Sequence, residues 1–293
     1  MPYGIGVQHR EDMLSDDEAV RLLRTAVDRG VNFFDTAPAY GESERILGLA
    51  FEEIRDQVVL CTKCPKLLND DDTLPSGAEV KRLIEESLVA SLHALRTDYV
   101  DVLMLHQVTD EVLCSDAVLS AFASLKERGL IRLAGASTYP GGITGRVVDN
   151  GRWDVIQLAM NVLDQREGEF LEKAEAAGVG VVVRSVLFKG ILTDRGRTLH
   201  SALADVQNQR RLLEREAREG MSLSDLATAY AMSKRGVSSV LLGIDRMEYL
   251  DQALQAADFA PLPAKLMARC DALAFPDPEL LDLPKWDRNG WLT

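Results

Sequence analysis

Short apolar runs alternate with amphipathic helical patterns along almost the whole sequence. The runs contain mainly Val, Leu and Ile and mostly lack strict alternation with polar residues, as expected for parallel strands that are buried on both faces. Such an alternation is typical of a parallel sheet covered by helices. We interpret seven runs as strands: VNFFD (31–35), VVLCTK (58–63), YVDVLMLH (99–106), IRLAGAS (131–137), VIQLA (155–159), VGVVVRS (179–185) and SSVLLG (238–243).

The segments between the runs have the period and the ends of amphipathic helices. Ser15, Asp16 and Asp17 can cap the pattern EAVRLLRTAVDR, and Gly30 can end it. No repeat, low-complexity tract or linker divides the chain, and 293 residues suit an α/β barrel. The sequence therefore predicts one (β/α)8 TIM-barrel domain over residues 1–293. Similar helical patterns occur at three further places: about 78–95, 116–128 and 222–234.

The number of strands raises a question about the N-terminus. A barrel of this class has eight strands, one more than the seven runs. The first strand should precede the helix at residues 16–29, where only MPYGIGVQHREDML is available. We therefore expect the first strand to be missing or truncated, unless residues 2–7 form it.

Charge and hydropathy argue against nucleic acid and membranes as partners. The formal net charge is −13 and no basic stripe is present, so the field would repel a phosphate backbone or an anionic lipid surface. No apolar run reaches the roughly 20 residues that span a bilayer, and the N-terminus lacks the apolar core of a secretory signal. The sequence predicts a cytoplasmic protein.

The cysteines and histidines do not indicate a metal site. Cys61 and Cys64 form a C-x-x-C, but they lie inside an apolar strand pattern, so we interpret them as buried strand residues. A redox or metal-binding pair is the alternative. The four histidines show no metal-ligand spacing, and we expect no metal.

Three neighbouring strand patterns end in residues that can carry chemistry. Asp35, Lys63 and His106 each stand at the carboxyl end of a run, where barrel enzymes build their active sites. Tyr40 follows Asp35 in the loop DTAPAYGESE. A carboxylate, an ammonium, an imidazole and a phenol are therefore expected at one end of the sheet.

These four groups suit the reduction of a carbonyl. Hydride attack develops negative charge on oxygen, which needs a proton donor, and Tyr40 can supply it. With an ordinary pKa of about 10, tyrosine is a poor acid at neutral pH. An ammonium of Lys63 at about 4 Å, with an effective dielectric near 20, would favour the phenolate by about 4 kcal/mol. Asp35 would hold Lys63 charged, and His106 would orient the substrate oxygen or relay the proton.

The sequence resembles the aldo-keto reductase family. GVNFFDTAPAYGESERILG (30–48) is similar to the family signature, in which Asp, Tyr and Gly-x-Ser/Asn-Glu have this spacing, while LCTKC and LMLHQ supply the lysine and the histidine. GASTYP, IQLAMN, RSVLFKGIL and LLGIDRMEYLDQAL resemble its cofactor-binding segments. The resemblance runs in order from about residue 3 to residue 258. It implies hydride transfer between a nicotinamide cofactor and a carbonyl or alcohol, with the four residues in the roles given above.

The resemblance and the chemistry of the side chains also indicate a cofactor site. The hydrogen-bonding groups at the ends of the fourth and fifth strand patterns suit the nicotinamide carboxamide, and the bare backbone from residue 186 onward suits a pyrophosphate. Thr138 and Val186 depart from the family's usual Asn and Pro. The cofactor-binding residues that we predict are Ser137, Thr138, Gln157, Arg184, Val186, Leu187, Gly190, Gly243 and Arg246.

Arg246 decides the expected cofactor. Its planar charged fork at the start of a helix pattern suits a 2′-phosphate and favours NADP(H), although Asp245 beside it would oppose that phosphate, so NAD stays possible. Tyr249 and Ala253 stand where Gln and Asn commonly contact the adenine. No G-x-G-x-x-G follows a strand, which disfavours a Rossmann dehydrogenase.

Two other functions stay open at this point. One is an NAD-dependent aldose or alcohol dehydrogenase that works in the oxidative direction, and the other is a nicotinamide-binding regulatory subunit with little turnover. The expected partner is a small carbonyl compound.

Two segments depart from the regular alternation of strand and helix patterns, namely residues 190–220 and the tail AFPDPELLDLPKWDRNGWL (274–292). We expect an irregular tail that either caps a substrate pocket or packs against the outside.

Overall fold

The computed structural model describes residues 13–292. Its strands lie in one sheet in the order in which they occur along the chain. The first five strands pair in parallel with their neighbours, and the sixth pairs in parallel with the seventh. Parallel strands in chain order with helices between them are the pattern of the (β/α)8 barrel class, so the predicted fold class is confirmed. The strands are β1 Phe33–Asp35, β2 Val59–Cys64, β3 Val100–Leu105, β4 Ile131–Ser137, β5 Val155–Ala159, β6 Gly180–Arg184 and β7 Ser239–Val240.

Several helices begin where the sequence supplies a capping side chain. Ser15 and Ser222 each form a capping box with an acidic residue three positions later, and Ser76 accepts a hydrogen bond from the backbone of Glu79. The helices are α1 Asp16–Asp28, α2 Ser43–Phe51, α3 Gly77–Leu95, α4 Asp110–Leu113, α5 Asp116–Glu127, α6 Ile143–Asn150, α7 Leu171–Ala176, α8 Ala204–Glu214, α9 Leu223–Ser233, α10 Met247–Asp258, α11 Ala264–Ala272 and α12 Leu283–Arg288.

The described chain divides into two compact units. Of the described residues, the N-terminal unit comprises 14–158 and 173–181, and the C-terminal unit comprises 13, 159–172 and 182–292. The prediction of one domain over residues 1–293 stays a prediction.

The sheet of the N-terminal unit is buried as the apolar runs predicted. Every residue of β3 is buried, including Asp101, and five of the six residues of β2 are buried as well. Strands covered on both faces need apolar side chains on both faces, which explains why these runs do not alternate.

Asp101 connects the beginnings of three neighbouring strands. It is 4% exposed and accepts hydrogen bonds from Arg55 at 2.7 Å, from Arg132 at 2.8 Å and from the backbone N–H of Leu60 at 2.9 Å. The two guanidinium groups lie over the ring of Tyr99, at 4.1 and 4.4 Å from its centroid. This network ties β2, β3 and β4 together at the ends opposite to the predicted site.

The C-terminal unit has a core of its own. Leu226 and Tyr230 of α9 pack in one cluster with Phe188, which follows β6, and with Trp286 of α12. Tyr230 is fully buried, and its hydroxyl donates to Asp271 at 2.6 Å. The two segments that depart from the regular alternation of strands and helices in the sequence both contribute residues to this core.

The structure corrects two expectations. The run SSVLLG forms only a two-residue strand, Ser239–Val240, and the tail is not wholly irregular, because α12 lies within it. The expectation of a missing or truncated first strand falls on residues 1–12, which lie outside the described residues.

Candidate active site

Asp35 and Lys63 form a buried ion pair at the ends of β1 and β2. Asp35 is in register with Cys61, so Lys63 lies two residues further along the neighbouring strand. Its Nζ donates to both carboxylate oxygens of Asp35 at 2.7 Å and to the carbonyl of Thr36 at 2.9 Å. Burial alone would lower the pKa of Lys63, but Asp35 and neighbouring groups that include Tyr40 outweigh it and hold that pKa above its usual value. Lys63 is therefore a cation at neutral pH.

Tyr40 lies beside this pair and beside His106. The Nζ of Lys63 is 5.0 Å from the centroid of the Tyr40 ring. The rings of Tyr40 and His106 meet edge to face, with centroids 5.7 Å apart and an interplanar angle of 86°. The structure thus brings together all four residues that we singled out as catalytic.

The loop that carries Tyr40 is held by polar contacts on both sides. Thr36 donates to Ser43 at 2.9 Å, and Thr62 of β2 donates to Glu44 of α2 at 2.6 Å. Glu44 is 7% exposed, so this bond is shielded from water. Glu44 belongs to the GESE stretch after Tyr40, and its contact shows that the stretch fastens the loop to β2.

Gln157 connects the ion pair to the predicted carboxamide site. Its Nε2 donates to Asp35 at 2.8 Å, while Ser137 donates to its Oε1 at 3.4 Å. Thr138 is fully buried and accepts a hydrogen bond from Thr144 at 2.7 Å. Gln157 therefore lies next to the carboxylate of Asp35, and Ser137 lies next to Gln157. Sequence reasoning missed the hydrogen bond that the amide of Gln157 donates to Asp35.

Cys61 and Cys64 are free and buried, as expected for strand residues. Burial raises the pKa of Cys64 to about 12 and raises that of Cys61 well above its usual range, where the charge of Asp35 adds to the effect. Both thiols are thus kept protonated, which argues against the redox alternative.

In the C-terminal unit, the loop after β6 has an unusual backbone. Ser185, Phe188 and Lys189 have φ values of 62°, 47° and 56°, and Gly190 has 99°. Residues in this conformation concentrate at ligand-binding sites, where the surrounding structure must enforce them. We name residues 185–190 the strained loop. It contains Val186, Leu187 and Gly190, which we predict to bind the cofactor, and directly follows Arg184.

Arg210 of α8 fixes the chain that follows the strained loop. It is 1% exposed and donates to the carbonyls of Ile191 and Thr193, each at 2.9 Å. Gly196 passes so close to the carbonyl of Ile191 that a side chain there would collide with it. The sequence shows an arginine in a charged helix pattern, but it shows neither that Arg210 is buried nor which carbonyls it binds.

Gly243 and Arg246 occur together before α10. Arg246 is the N-cap residue of this helix, and both residues are exposed. Arg195 donates to the hydroxyl of Tyr249 at 3.2 Å, which places a second guanidinium at the first turn of α10. Sequence reasoning did not find Arg195, because 54 residues separate it from Tyr249.

Comparison with known proteins identifies the family. Residues 3–274 match the model of the Aldo/keto reductase family. The chain belongs to this family. Its members are oxidoreductases, and the chain is accordingly an enzyme of this class.

Relatives and solved structures agree with this membership. The chain is 29% identical over 255 residues to the uncharacterized oxidoreductase YqkF of Bacillus subtilis, covering 83% of each protein. It is 29% identical to the L-galactose dehydrogenase of Arabidopsis thaliana over 83% of this chain and 79% of that protein. The apo form of aldo-keto reductase AKR11C1 from Bacillus halodurans superimposes with a TM-score of 0.75 at 25% identity, covering 90% of this chain and 88% of the other.

The aldo/keto reductase site residues that we predicted thus fall into two groups. The four catalytic candidates lie in the N-terminal unit with Ser137, Thr138 and Gln157, and the others lie in the C-terminal unit. Within residues 13–292, no cluster of three or more His, Cys, Asp or Glu is arranged to hold a metal. No helix in the same part of the chain is long and apolar enough to cross a membrane.

Proposed function

We propose that this aldo/keto reductase transfers hydride between NADP(H) and the carbonyl or alcohol group of a small substrate, with Tyr40 as general acid and base. The observation that carries the proposal is the geometry around Lys63. Its ammonium is paired with Asp35 at 2.7 Å and lies 5.0 Å from the ring of Tyr40. A buried cation next to a phenol stabilises the phenolate that remains after proton transfer.

Each of the four residues has a distinct task. In reduction, the hydroxyl of Tyr40 gives its proton to the substrate oxygen, and in oxidation the phenolate takes it back. Lys63 stabilises the phenolate, and Asp35 keeps Lys63 charged and oriented. His106, edge to face with Tyr40, orients the substrate oxygen. The nicotinamide, when bound, supplies or accepts the hydride.

The residues in each unit fit this cofactor. In the N-terminal unit, the hydroxyl of Ser137 and the amide of Gln157 offer donors and acceptors beside Asp35, as a carboxamide needs. In the C-terminal unit, the strained loop presents backbone that can approach a pyrophosphate, and Arg246 offers a charged fork for a 2′-phosphate. These features support NADP(H).

A second candidate is the oxidation of a sugar or alcohol with NAD. The likeness to L-galactose dehydrogenase favours it, as does Asp245, whose charge opposes a 2′-phosphate. Initial rates with NADPH, NADH, NADP and NAD against panels of aldehydes, ketones, sugars and alcohols separate the two candidates. Tight binding of the cofactor without turnover of any panel would instead support a regulatory subunit.

The decisive experiment is the exchange of Tyr40 for Phe. Because only the hydroxyl is lost, Tyr40→Phe should lower turnover by roughly 10²- to 10⁴-fold, and it should leave the Kd of NADPH nearly unchanged. Tyr99→Phe is the matched control, because Tyr99 directly precedes β3, at the opposite end of the sheet, and contacts two arginines there. If Tyr40→Phe retains more than about a tenth of wild-type turnover, Tyr40 is not the general acid.

A further inference from the structure

The C-terminal tail lies beyond the family match and is nevertheless part of the core. The family model ends at residue 274. After that point Leu281, Trp286 and Leu292 are 5%, 2% and 4% exposed, and all three belong to the core cluster of the C-terminal unit. An appended segment that buries three large side chains in a core is held in a defined position.

Two consecutive tail residues contact two consecutive residues of the strained loop. The ring of Trp286 meets that of Phe188 edge to face, with centroids 5.6 Å apart and an angle of 70°. Asp287 forms an ion pair with Lys189, whose side chain is only 13% exposed. Phe188 and Lys189 both have positive φ values. The tail therefore contacts two loop residues whose left-handed backbone conformation is unfavourable for residues other than glycine.

The backbone hydrogen bonds inside the strained loop do not by themselves require its positive φ values. The N–H of Phe188 donates to Ser185 at 2.9 Å and that of Gly190 donates to Leu187 at 2.9 Å. Such turn bonds also form with ordinary φ values. A left-handed backbone at non-glycine residues persists only where other contacts enforce it. At Phe188 and Lys189, the tail provides such contacts.

We propose that residues 275–292 form a positioning element, in which Trp286 and Asp287 hold the strained loop in its conformation and thereby slow the release of the cofactor. This inference rests on the proposed function, because it takes the loop to bind the cofactor phosphates. A preorganised loop loses less conformational freedom when it binds a ligand, so the ligand is held longer.

The first test measures the loop without any cofactor. Hydrogen exchange of the full-length protein should show faster exchange of the amides of Phe188, Gly190 and Ile191 in Trp286→Leu, while Trp286→Phe keeps an aromatic partner and should stay close to wild type. Asp287→Asn removes the ion pair at an exposed position and tests the same point in a variant that leaves the core intact. Unchanged exchange in both Trp286→Leu and Asp287→Asn would overturn the proposal.

The second test measures the release of NADPH by stopped-flow fluorescence. Because Trp286→Leu removes the stabilising edge-to-face contact with Phe188, this variant should release NADPH about 2- to 10-fold faster than the wild type. Trp286→Phe, which keeps an aromatic ring, should release NADPH at nearly the wild-type rate. Asp277→Asn, the same exchange at a tail residue that caps no helix by its side chain, is the control for Asp287→Asn. Equal release rates in wild type, Trp286→Leu and Asp287→Asn would refute the role in cofactor release. If the wild type binds no NADPH, the proposed cofactor is wrong, and the exchange experiment still decides what the tail does to the loop.

Discussion

Exchange of Asp35 for Asn should destabilise the protein by about 3 to 5 kcal/mol, because it leaves a buried lysine without its counter-ion. Lys63 is 1% exposed, and two of the three hydrogen bonds of its ammonium go to the Asp35 carboxylate. The asparagine side chain would keep one oxygen for Lys63 or for Gln157, but it would carry no negative charge. The cost therefore arises from the charge of Lys63 and much less from the shape of the side chain.

The double variant Asp35→Asn/Lys63→Met separates these two causes. Met has nearly the length of Lys and needs no counter-ion, so removal of both charges should restore all but about 1 to 2 kcal/mol of the loss. The single variant Lys63→Met completes the double-mutant cycle. In that variant the unpaired charge is Asp35, whose side chain is 14% exposed and can be partly hydrated, so it should cost less than Asp35→Asn.

The dependence on pH provides a further check with a definite sign. In the wild type the pKa of Lys63 lies above its unfolded value, so the stabilisation is complete below that value and is lost as pH rises through the folded pKa. In Asp35→Asn burial prevails and the folded pKa falls below about 10.4, the unfolded value. The unfolded state then binds more protons, and the stability of Asp35→Asn should rise with pH toward 10 relative to the double variant.

Urea unfolding followed by both tryptophan fluorescence and circular dichroism measures these free energies and shows whether the transition has two states. The comparison of interest is between the single and double variants at pH 7 and at pH 9.5. If Asp35→Asn lowers the free energy of unfolding by less than about 1 kcal/mol, the reasoning is refuted, because a buried unpaired charge should destabilise the fold by more than that. A double variant that is no more stable than Asp35→Asn would refute it equally.

Three further predictions concern other parts of the chain. Asp101→Ala should lower the free energy of unfolding by about 3 kcal/mol or more in urea titrations, because it leaves the largely buried guanidinium of Arg55 without its carboxylate. Arg246→Ala should weaken NADPH by roughly 10- to 150-fold in fluorescence titrations, with little change for NADH, and equal weakening of both cofactors would mean that Arg246 contacts something else. In the native protein at pH 8, a thiol reagent should label the exposed Cys114 first, because burial holds the pKa of Cys64 at about 12, and mass spectrometry identifies the labelled residue.

The sequence alone was sufficient for the fold class and for the four catalytic candidates. Strands that are covered on both faces must be apolar throughout, so β2 and β3 are visible as unbroken runs. Parallel strands in successive βα units place their carboxyl ends at one side of the sheet, which is why Asp35, Lys63 and His106 were expected together. The fold class and these three positions need only local periodicity and the order of the elements along the chain, whereas Tyr40, which lies in a loop, was indicated by the similarity of residues 30–48 to the family signature.

Long-range contacts could be known only from the tertiary structure. Gln157 is 122 residues away from Asp35, with which it forms a hydrogen bond, and Asp287 is 98 residues away from Lys189. Neither partner is indicated by a pattern within its own segment, because an amide or a carboxylate has the same chemistry wherever the chain carries it. The helix α12 was also missed, because a six-residue segment with a proline has little intrinsic helical stability. It is helical here because Trp286 packs in the core.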